Sequence, residues 1–520
     1  MAFGRIRQQT PDPAVRLAPT TPQASQEKRD VTLRRPILPM QTEAAGRDPE
    51  AEGTLYLRRI WVYGILSLAL YGVIYLFIID PFGWMAARGW KSSLSWSGLV
   101  VYSSIIALAL FLLILLFRYI ALMIAAYFYT AKSTVQSDRI DAFTPPVSII
   151  VPAYNEGKLL AETVGALLKM DYPTYEIIVV DDGSTDDTRA VARELVGDYG
   201  PVSVQLVEKP NGGKSTALNA GIQVAIHDFV LNVDGDSQLS PDTLRKAIRH
   251  FADPRMGAVA GNVKVLNRHR APAEQTFRGR LRAGMQSLWT TLQALEYVEG
   301  LNLARSAQSL VQLVNIIPGP LGLFRKQAII DAGWYSTDTF AEDADITLKI
   351  IRAGWRVEYE PIAISYTEAP ETLGNLLKQR YRWTRGIIQA VRKHRELFFN
   401  PTINFGGTVV MWSMAFEALI WPAMNLFAHA YFIFIALAFD LSYYLVYWWL
   451  SLTILDLIAA LYCVAVEGEE ARLVFYSIFY RIFFILIIDV CKTLATIEEF
   501  LGLGMSWGKL ERVGSGSAPS

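Results

Sequence analysis

The chain has 520 residues, of which 52% are hydrophobic and 19% charged, and its 49 basic residues balance its 49 acidic residues. The hydrophobic fraction is high for a soluble protein of this length, so membrane segments are expected. The neutral balance gives no electrostatic basis for binding nucleic acid, which is excluded as an expected partner.

The N-terminal part combines a polar leader with two apolar runs. Residues 1–53 are polar and rich in proline, which predicts a disordered tail. Within residues 54–130, the runs Ile60–Ile79 and Trp96–Phe117 carry no charge. Each is long enough to cross a hydrocarbon core of about 30 Å as a helix. Two transmembrane helices are therefore predicted.

Basic residues around these two runs predict the orientation. Those near the runs are Arg58, Arg59, Arg118, Lys132 and Arg139 outside the pair, and Arg88 and Lys91 between them. Because basic flanks stay on the cytoplasmic side, the N-terminus and the region after the second run are expected to face the cytoplasm. The prediction is a multi-pass protein of the plasma or inner membrane.

Residues 131–370 read as one α/β domain. Buried strands are predicted at 146–154, 175–180, 202–207 and 229–233, with helices between them, including one over 214–226. Continuous apolar strands that alternate with amphipathic helices are typical of a mostly parallel sheet covered on both faces. In such sheets, ligands bind beyond the carboxyl ends of the strands.

The first acidic motif, Val-Asp-Asp-Gly-Ser-Thr-Asp at 180–186, follows the second of these strands. Two carboxylates at a strand end suit contacts with ribose hydroxyls and base imide groups. The same residues also form a good turn and helix N-cap, and this alternative stays open on the motif alone.

The second acidic motif, Asn-Val-Asp-Gly-Asp at 232–236, follows another strand. Gly235 permits a bend that lets Asp234 and Asp236 converge on one cation. Carboxylate and diphosphate oxygens suit Mg²⁺ or Mn²⁺, which would act as a Lewis acid on a leaving diphosphate. Asp-x-Asp is also common in surface turns.

The third acidic motif, Phe-Ala-Glu-Asp-Ala-Asp at 340–345, leads into an amphipathic helix over 346–352. A carboxylate such as Asp343 could act as the base in a sugar transfer. Acidic residues at a helix start also complement the helix dipole, which is the structural alternative.

Residues 371–402 are rich in lysine and arginine and predict an amphipathic helix at the membrane interface, or else a surface helix of the α/β domain. On a helix, Gln379 shares a face with Arg382 and Trp383. Arginine suits a diphosphate and tryptophan a sugar ring, although both residues are also typical of an interfacial belt.

The apolar region 403–504 predicts about three further transmembrane helices, and residues 505–520 predict a flexible tail. Glu417 lies inside this region, which favours a protein-lined or wet face.

These four motifs, in this order and between membrane segments, resemble processive family 2 glycosyltransferases: cellulose, chitin, hyaluronan and poly-N-acetylglucosamine synthases. The resemblance covers about residues 146–385. It implies a GT-A-like α/β cytoplasmic domain, with a mostly parallel sheet, inserted between α-helical transmembrane segments.

The resemblance also implies a role for individual residues. Asp182 and Lys214 would contact the nucleotide, Asp234 would bind the donor and the metal, and Asp236 would be the main metal ligand. Asp343 would be the catalytic base. Gln379 and Arg382 would close over the diphosphate, and Trp383 would bind the acceptor. The implied reaction is one inverting displacement with UDP leaving on Mg²⁺ or Mn²⁺. The polymer would exit through a channel formed by the C-terminal spans. No role is carried over for Pro318–Pro320.

The run Glu-Asp-Ala-Asp-Ile-Thr from residue 342, together with Gln379-Arg380, looks more like poly-N-acetylglucosamine synthases than hyaluronan synthases. UDP-GlcNAc is therefore the first expected donor, giving a poly-N-acetylglucosamine or chitin-like product. A β-glucan made from UDP-glucose is the alternative.

Two rival functions are a polyprenyl-phosphate glycosyltransferase, a family that typically lacks Gln-x-x-Arg-Trp, and a non-enzymatic export channel, which the acidic series argues against. The expected partners are the UDP-sugar, the growing polysaccharide, the lipid bilayer and accessory subunits of an exopolysaccharide export system.

Overall fold

The computed structural model describes residues 16–17, 96–140, 143–268, 276–401, 404–438 and 442–504. The predicted first span, Ile60–Ile79, lies outside the described residues. The same holds for the predicted tail 505–520 and, apart from residues 16 and 17, for the predicted tail 1–53.

Ten strands of the described chain form one sheet. They are β1 (Arg16–Leu17), β2 (Val147–Ala153), β3 (Tyr175–Asp181), β4 (Gly197–Tyr199), β5 (Val202–Glu208), β6 (Phe229–Asn232), β7 (Ser237–Leu239), β8 (Met256–Val265), β9 (Gly322–Arg325) and β10 (Arg356–Thr367). Their order is β1-β5-β3-β2-β6-β9-β8-β10-β7, and β4 also pairs with β5.

Most of the central strand pairs are parallel. Strands β5, β3, β2 and β6 run parallel to one another, and β8 runs parallel to β10, whereas β1 and β4 are antiparallel to β5. Strand β9 is antiparallel to both β6 and β8, and β7 is antiparallel to β10. The predicted mostly parallel sheet is confirmed. The antiparallel strands are short, and a hydrophobic pattern does not specify the direction of a strand in a sheet.

The helices of the described chain surround this sheet and continue beyond it. They are α1 (Trp96–Ile140), α2 (Gly157–Leu167), α3 (Thr188–Leu195), α4 (Lys214–Val224), α5 (Thr243–Ile248), α6 (Phe277–Leu295), α7 (Leu303–Ser309), α8 (Lys326–Asp331), α9 (Glu342–Arg352), α10 (Leu373–Lys393), α11 (Glu396–Phe399), α12 (Phe405–Ala415), α13 (Trp421–Ala438), α14 (Ser442–Glu467), α15 (Tyr476–Phe479) and α16 (Ile485–Phe500). Segments Glu296–Asn302, Phe416–Ile420 and Tyr480–Phe484 are π-helical and join α6 to α7, α12 to α13 and α15 to α16.

Strand β2 shows why the central strands are apolar throughout. All seven of its residues are buried. Successive side chains of a strand point to opposite faces. Ile149 therefore joins the core that contains Leu160 of α2, while Ile150 joins the core that contains Leu218 of α4. A strand covered on both faces needs apolar residues at every position.

Four helical segments of the described chain are long and apolar enough to cross a membrane: Leu113–Lys132, Phe405–Ala438, Trp448–Glu467 and Ala471–Phe500. They indicate membrane association. Three of them follow the α/β domain, in the region where the sequence predicts about three spans.

The second predicted span, Trp96–Phe117, overlaps only in part with the apolar segment of α1, which begins at Leu113 and continues past Arg118. Arg118 directly follows this predicted span, and a charge is costly in lipid. In the structure, Arg118 Nη2 lies 2.9 Å from Glu417 Oε1, so two charges of the apolar region compensate each other. Glu417 thus pairs with a protein group, which agrees with the protein-lined or wet face that the sequence favours.

Candidate active site

Two acidic motifs reach the same edge of the sheet because parallel strands end there. Strand β3 ends at Asp181 and β6 at Asn232, so Asp182 and Asp234 both follow carboxyl ends of parallel strands. Helices α4 and α9 begin at this edge. The cavity there is lined by Pro152, Lys214, Leu218, Asn232, Val233, Asp234, Ile317, Pro318, Gly319, Gly322, Phe324, Tyr335, Glu342 and Asp343.

The Asp182 carboxylate is held from three sides. Lys209 Nζ donates to Oδ1 over 2.5 Å, the Gly212 N–H donates to Oδ1 over 3.0 Å, and the Gly213 N–H donates to Oδ2 over 2.8 Å. The side chains of Lys209 and Asp182 are 7% and 4% exposed. Charge-assisted bonds of this kind fix the position of the carboxylate.

Gly183 is needed directly after this aspartate. Its φ of +71° lies in the left-handed region that favours glycine, and a Cβ there would lie 2.6 Å from the backbone nitrogen of Asn211. The Asp-Gly step therefore lets the loop after β5 lie against the end of β3.

Lys214 joins the second and third acidic motifs. Its Nζ lies 2.6 Å from Asp234 Oδ1 and 3.1 Å from Glu342 Oε1. Burial by itself lowers the pKa of Lys214, but the charges of Asp234 and Glu342 outweigh it and raise that pKa above its ordinary value. Lys214 therefore remains a cation in the cavity.

Asp343 lies beside this cluster and is only partly compensated. Its Oδ1 accepts a hydrogen bond of 2.8 Å from the Ala344 N–H. Burial raises the pKa of Asp343 to about 6; the neighbouring charge of Glu342 also raises it, while Lys214 lowers it. A carboxyl group that titrates near neutral pH suits a general base.

The loop that contains Gly319 forms one wall of the cavity. A Cβ at Gly319 would lie 2.6 Å from Lys214 Nζ and 3.1 Å from Asp234 Oδ2. A larger residue at this position would displace the Lys214 ammonium group or the Asp234 carboxylate. The sequence assigned no role to Pro318–Pro320, and the structure places Pro318 and Gly319 in the cavity wall.

Asp234 and Asp236 differ in position. Asp234 lines the cavity, whereas Asp236 is 4% exposed and is not among the lining residues. Gly235 lies between them, and a Cβ there would lie 2.1 Å from a carboxylate oxygen of Glu156, so a larger residue would displace that side chain. The described ranges contain no group of three or more His, Cys, Asp or Glu side chains arranged to hold a metal.

Two carboxylates nevertheless fit a nucleotide-bound divalent cation. Such an ion typically takes one or two protein carboxylates and completes its coordination with phosphate oxygens and water. Asp234 and Asp236 match this donor set in number and in chemical type.

The third group of predicted residues lies on α10. Gln379, Arg382 and Trp383 are partly buried there and do not line the cavity. One turn after Trp383, Gly386 packs so tightly that a Cβ would lie 2.6 Å from the backbone nitrogen of Ala341. The helix that carries Gln379, Arg382 and Trp383 thus packs against the loop that leads to Asp343.

Arg380, inside the same motif, orients its neighbours. Its guanidinium donates to Gln379 Oε1 over 2.6 Å and to Glu296 Oε2 over 2.5 Å. It also lies 4.3 Å from the centre of the Trp383 ring, which is a cation–π distance. Arg380 is 2% exposed, so these contacts are buried.

Sequence reasoning missed Lys209, Glu342 and Arg380. A second lysine flanking the Gly-Gly turn was the available signal for Lys209. The acidic residue directly before Asp343 was the signal for Glu342. For Arg380 no local signal existed, because its partner Glu296 lies 84 residues away in the sequence.

Comparison with known proteins identifies the central region. Residues 145–386 match the family model described as glycosyltransferase like family 2. The poly-β-1,6-N-acetyl-D-glucosamine synthase of Staphylococcus aureus (strain COL) is 32% identical over 261 residues, which cover 50% of this chain and 58% of that protein. The Staphylococcus epidermidis protein of the same name is 32% identical over 241 residues, covering 46% and 54%.

The chain thus spans a little more than half the length of these curated relatives. Among solved structures, a mannosyltransferase from Pyrobaculum calidifontis, in complex with GDP-Man and Mn²⁺, is 22% identical. That likeness has a TM-score of 0.49 and covers 76% of this chain and 100% of the mannosyltransferase.

Proposed function

We propose that this chain, whose residues 145–386 form a family 2 glycosyltransferase domain, is a processive inverting β-glycosyltransferase of the membrane. It polymerises N-acetylglucosamine from UDP-GlcNAc and passes the polysaccharide across the membrane. The observation that carries the proposal is the cavity in which Asp343, with its raised pKa, lies beside the Lys214–Asp234 pair at the nucleotide edge of the sheet.

The donor nucleotide is assigned to the carboxyl ends of β3 and β6. Asp182, held by Lys209 and two backbone N–H groups, contacts the nucleoside. Lys214 supplies positive charge next to the diphosphate. When bound, Mg²⁺ or Mn²⁺ supplies a Lewis acid that neutralises charge on the leaving diphosphate, and Asp234 and Asp236 are the residues that would hold it.

The acceptor reacts at Asp343. The Asp343 carboxylate takes the proton of the acceptor hydroxyl while that oxygen attacks the anomeric carbon of the donor sugar. The bond from the anomeric carbon to the phosphate oxygen breaks, its electron pair leaves with UDP, and the configuration at that carbon inverts. No nucleophilic side chain is required.

Helix α10 closes the site. Gln379 and Arg382 are assigned to the diphosphate, and Trp383 is assigned to the terminal sugar of the acceptor. Arg380 supports this assignment because it orients Gln379 and Trp383 from a buried position.

The membrane part completes the proposal. The four apolar helical segments are assigned as membrane spans, with the glycosyltransferase domain in the cytoplasm, where nucleotide sugars are made. A polar polymer cannot cross lipid unaided, so the C-terminal spans are assigned to its passage. Accessory subunits of an export system are expected partners.

The choice of UDP-GlcNAc rests on the relatives. Both curated proteins reported above are named as poly-β-1,6-N-acetyl-D-glucosamine synthases. The family 2 match over residues 145–386 includes the residues that line the cavity.

Purified protein in nanodiscs, incubated with radiolabelled UDP-GlcNAc or UDP-glucose and Mg²⁺ or Mn²⁺, tests the proposal. We expect high-molecular-weight product from UDP-GlcNAc that is lost in the Asp343→Asn variant. Polymer from UDP-glucose alone would instead identify a β-glucan synthase. Label in an organic-extractable lipid, without polymer, would identify a polyprenyl-phosphate glycosyltransferase and overturn the proposal.

A further inference from the structure

We infer that Glu499, near the end of the last candidate span, is a positioning residue for the loop that carries Asp343. The inference rests on the proposed function, since it assumes that Asp343 is the catalytic base. A residue of the apolar C-terminal region would then help to position the catalytic base of the α/β domain.

Glu499 is bound to one face of α10. Its Oε2 accepts hydrogen bonds from Arg385 Nε over 2.7 Å and from Gln389 Nε2 over 3.1 Å. The side chains of Arg385 and Glu499 are 4% and 7% exposed, so the ion pair is buried. Arg385 and Gln389 are four residues apart and therefore lie on the same face of the helix.

Gln389 carries the connection from Glu499 to the loop before α9. Its Oε1 accepts a hydrogen bond of 3.1 Å from the backbone N–H of Phe340, three residues before Asp343. A carboxylate only accepts hydrogen bonds. Glu499 therefore requires the amide nitrogen of Gln389 on its own side, and this leaves the amide oxygen facing Phe340.

The loop has little room to move independently of α10. A Cβ at Gly386 would lie 2.6 Å from the Ala341 nitrogen and 2.8 Å from the Phe340 carbonyl carbon. A shift of α10 against α16 therefore reaches Phe340 and Ala341 directly. Asp343 follows two residues later, at the start of α9.

The adjacent Glu498 provides a matched control. Its side chain accepts a hydrogen bond from the Tyr381 hydroxyl, whereas the side chain of Gln389 bonds to Glu499 and to the Phe340 N–H. Glu498→Gln changes the charge of the same helix end by the same amount as Glu499→Gln. Only Glu499→Gln removes the carboxylate that orients Gln389.

The experiment measures kcat and KM for UDP-GlcNAc by UDP release from full-length protein in nanodiscs. For Glu499→Gln we expect kcat to fall about 10- to 100-fold, because small displacements of reacting groups cost rates of that order. The donor KM should stay within about twofold, since the Asp182 side is untouched. Glu498→Gln should keep kcat within about twofold as well.

The Gln389→Met variant and the double variant Glu499→Gln/Gln389→Met distinguish a positioning role of Glu499 from a general loss of packing. If Glu499 acts through Gln389, the double variant is about as slow as either single variant, instead of showing the product of the two losses. Gln389→Met also keeps the inference testable if Glu499→Gln does not yield folded protein.

Three results would overturn the inference: a kcat for Glu499→Gln equal to that of Glu498→Gln, losses in the double variant that multiply, or a rise in donor KM with kcat unchanged. These differ from failure of the proposed function. In that case wild-type protein itself would form no polymer from UDP-GlcNAc.

Discussion

Asp182 and Asp343 are the same side chain at the same edge of the sheet, in opposite surroundings. Asp182 accepts hydrogen bonds from Lys209 and from two backbone N–H groups, so its carboxylate is fully compensated. Asp343 accepts one from the Ala344 N–H, and Glu342 stands beside it. The hydrogen bonds fix the position of the Asp182 carboxylate, while burial and the neighbouring charge of Glu342 raise the pKa of Asp343 to about 6, as the proposed base requires.

Replacing Asp343 by asparagine has the largest expected effect. We expect UDP release and polymer formation to fall by about 10²- to 10⁴-fold, the usual contribution of a general base. The donor KM should change little, because the amide keeps the shape of the side chain. Retention of more than about a tenth of the wild-type kcat would assign the base to another group.

Replacing Lys214 by methionine tests whether the charge of Lys214 lowers the pKa of Asp343. Lys214 lowers the pKa of Asp343, so its loss should move the acid limb of the pH–rate profile above 6. We expect kcat/KM at neutral pH to fall about 10- to 100-fold, since a charge-assisted contact to the donor is lost too. Lys214→Arg keeps the charge and serves as the control. An acid limb that does not move would contradict the electrostatic account.

Replacing Lys209 by methionine tests the surroundings of Asp182. The change removes one of the two hydrogen bonds to Asp182 Oδ1, which keeps the bond from the Gly212 N–H, and Lys209 does not line the cavity that contains Asp343. We expect the KM for UDP-GlcNAc to rise about tenfold, with kcat and the acid limb unchanged. Steady-state kinetics at several pH values would show this. A shifted acid limb would mean that the two sides are not independent.

Replacing Glu342 by glutamine has the smallest expected effect and the opposite sign to Lys214→Met. Glu342 raises the pKa of Asp343, so its neutralisation should move the acid limb below 6, by about one unit or less. A pH–rate profile of the variant measures the shift. Movement toward higher pH would show that Glu342 acts mainly by keeping Lys214 in place.

Local sequence signals predict some features of this site, whereas contacts between distant segments are not predictable from the sequence. The edge of the sheet, Asp182, Asp234 and Asp343 were predictable, because apolar strands and strand-end acids are local signals. The close approach of Gly319 to Lys214 was not predictable, because these two residues are 105 positions apart in the sequence. Arg380–Glu296 and Arg385–Glu499 likewise join distant segments, so no spacing rule reveals them.

The most direct test of the account is the pH dependence of UDP release by wild-type protein at saturating UDP-GlcNAc, over about pH 4.5 to 8.5. Only the ionised form of Asp343 can take a proton, so the rate should rise with pH through a midpoint near 6. A rate that stays constant down to about pH 5 would show that Asp343 titrates at its ordinary value. That result would contradict the claim that burial and the neighbouring charge of Glu342 raise the pKa of Asp343.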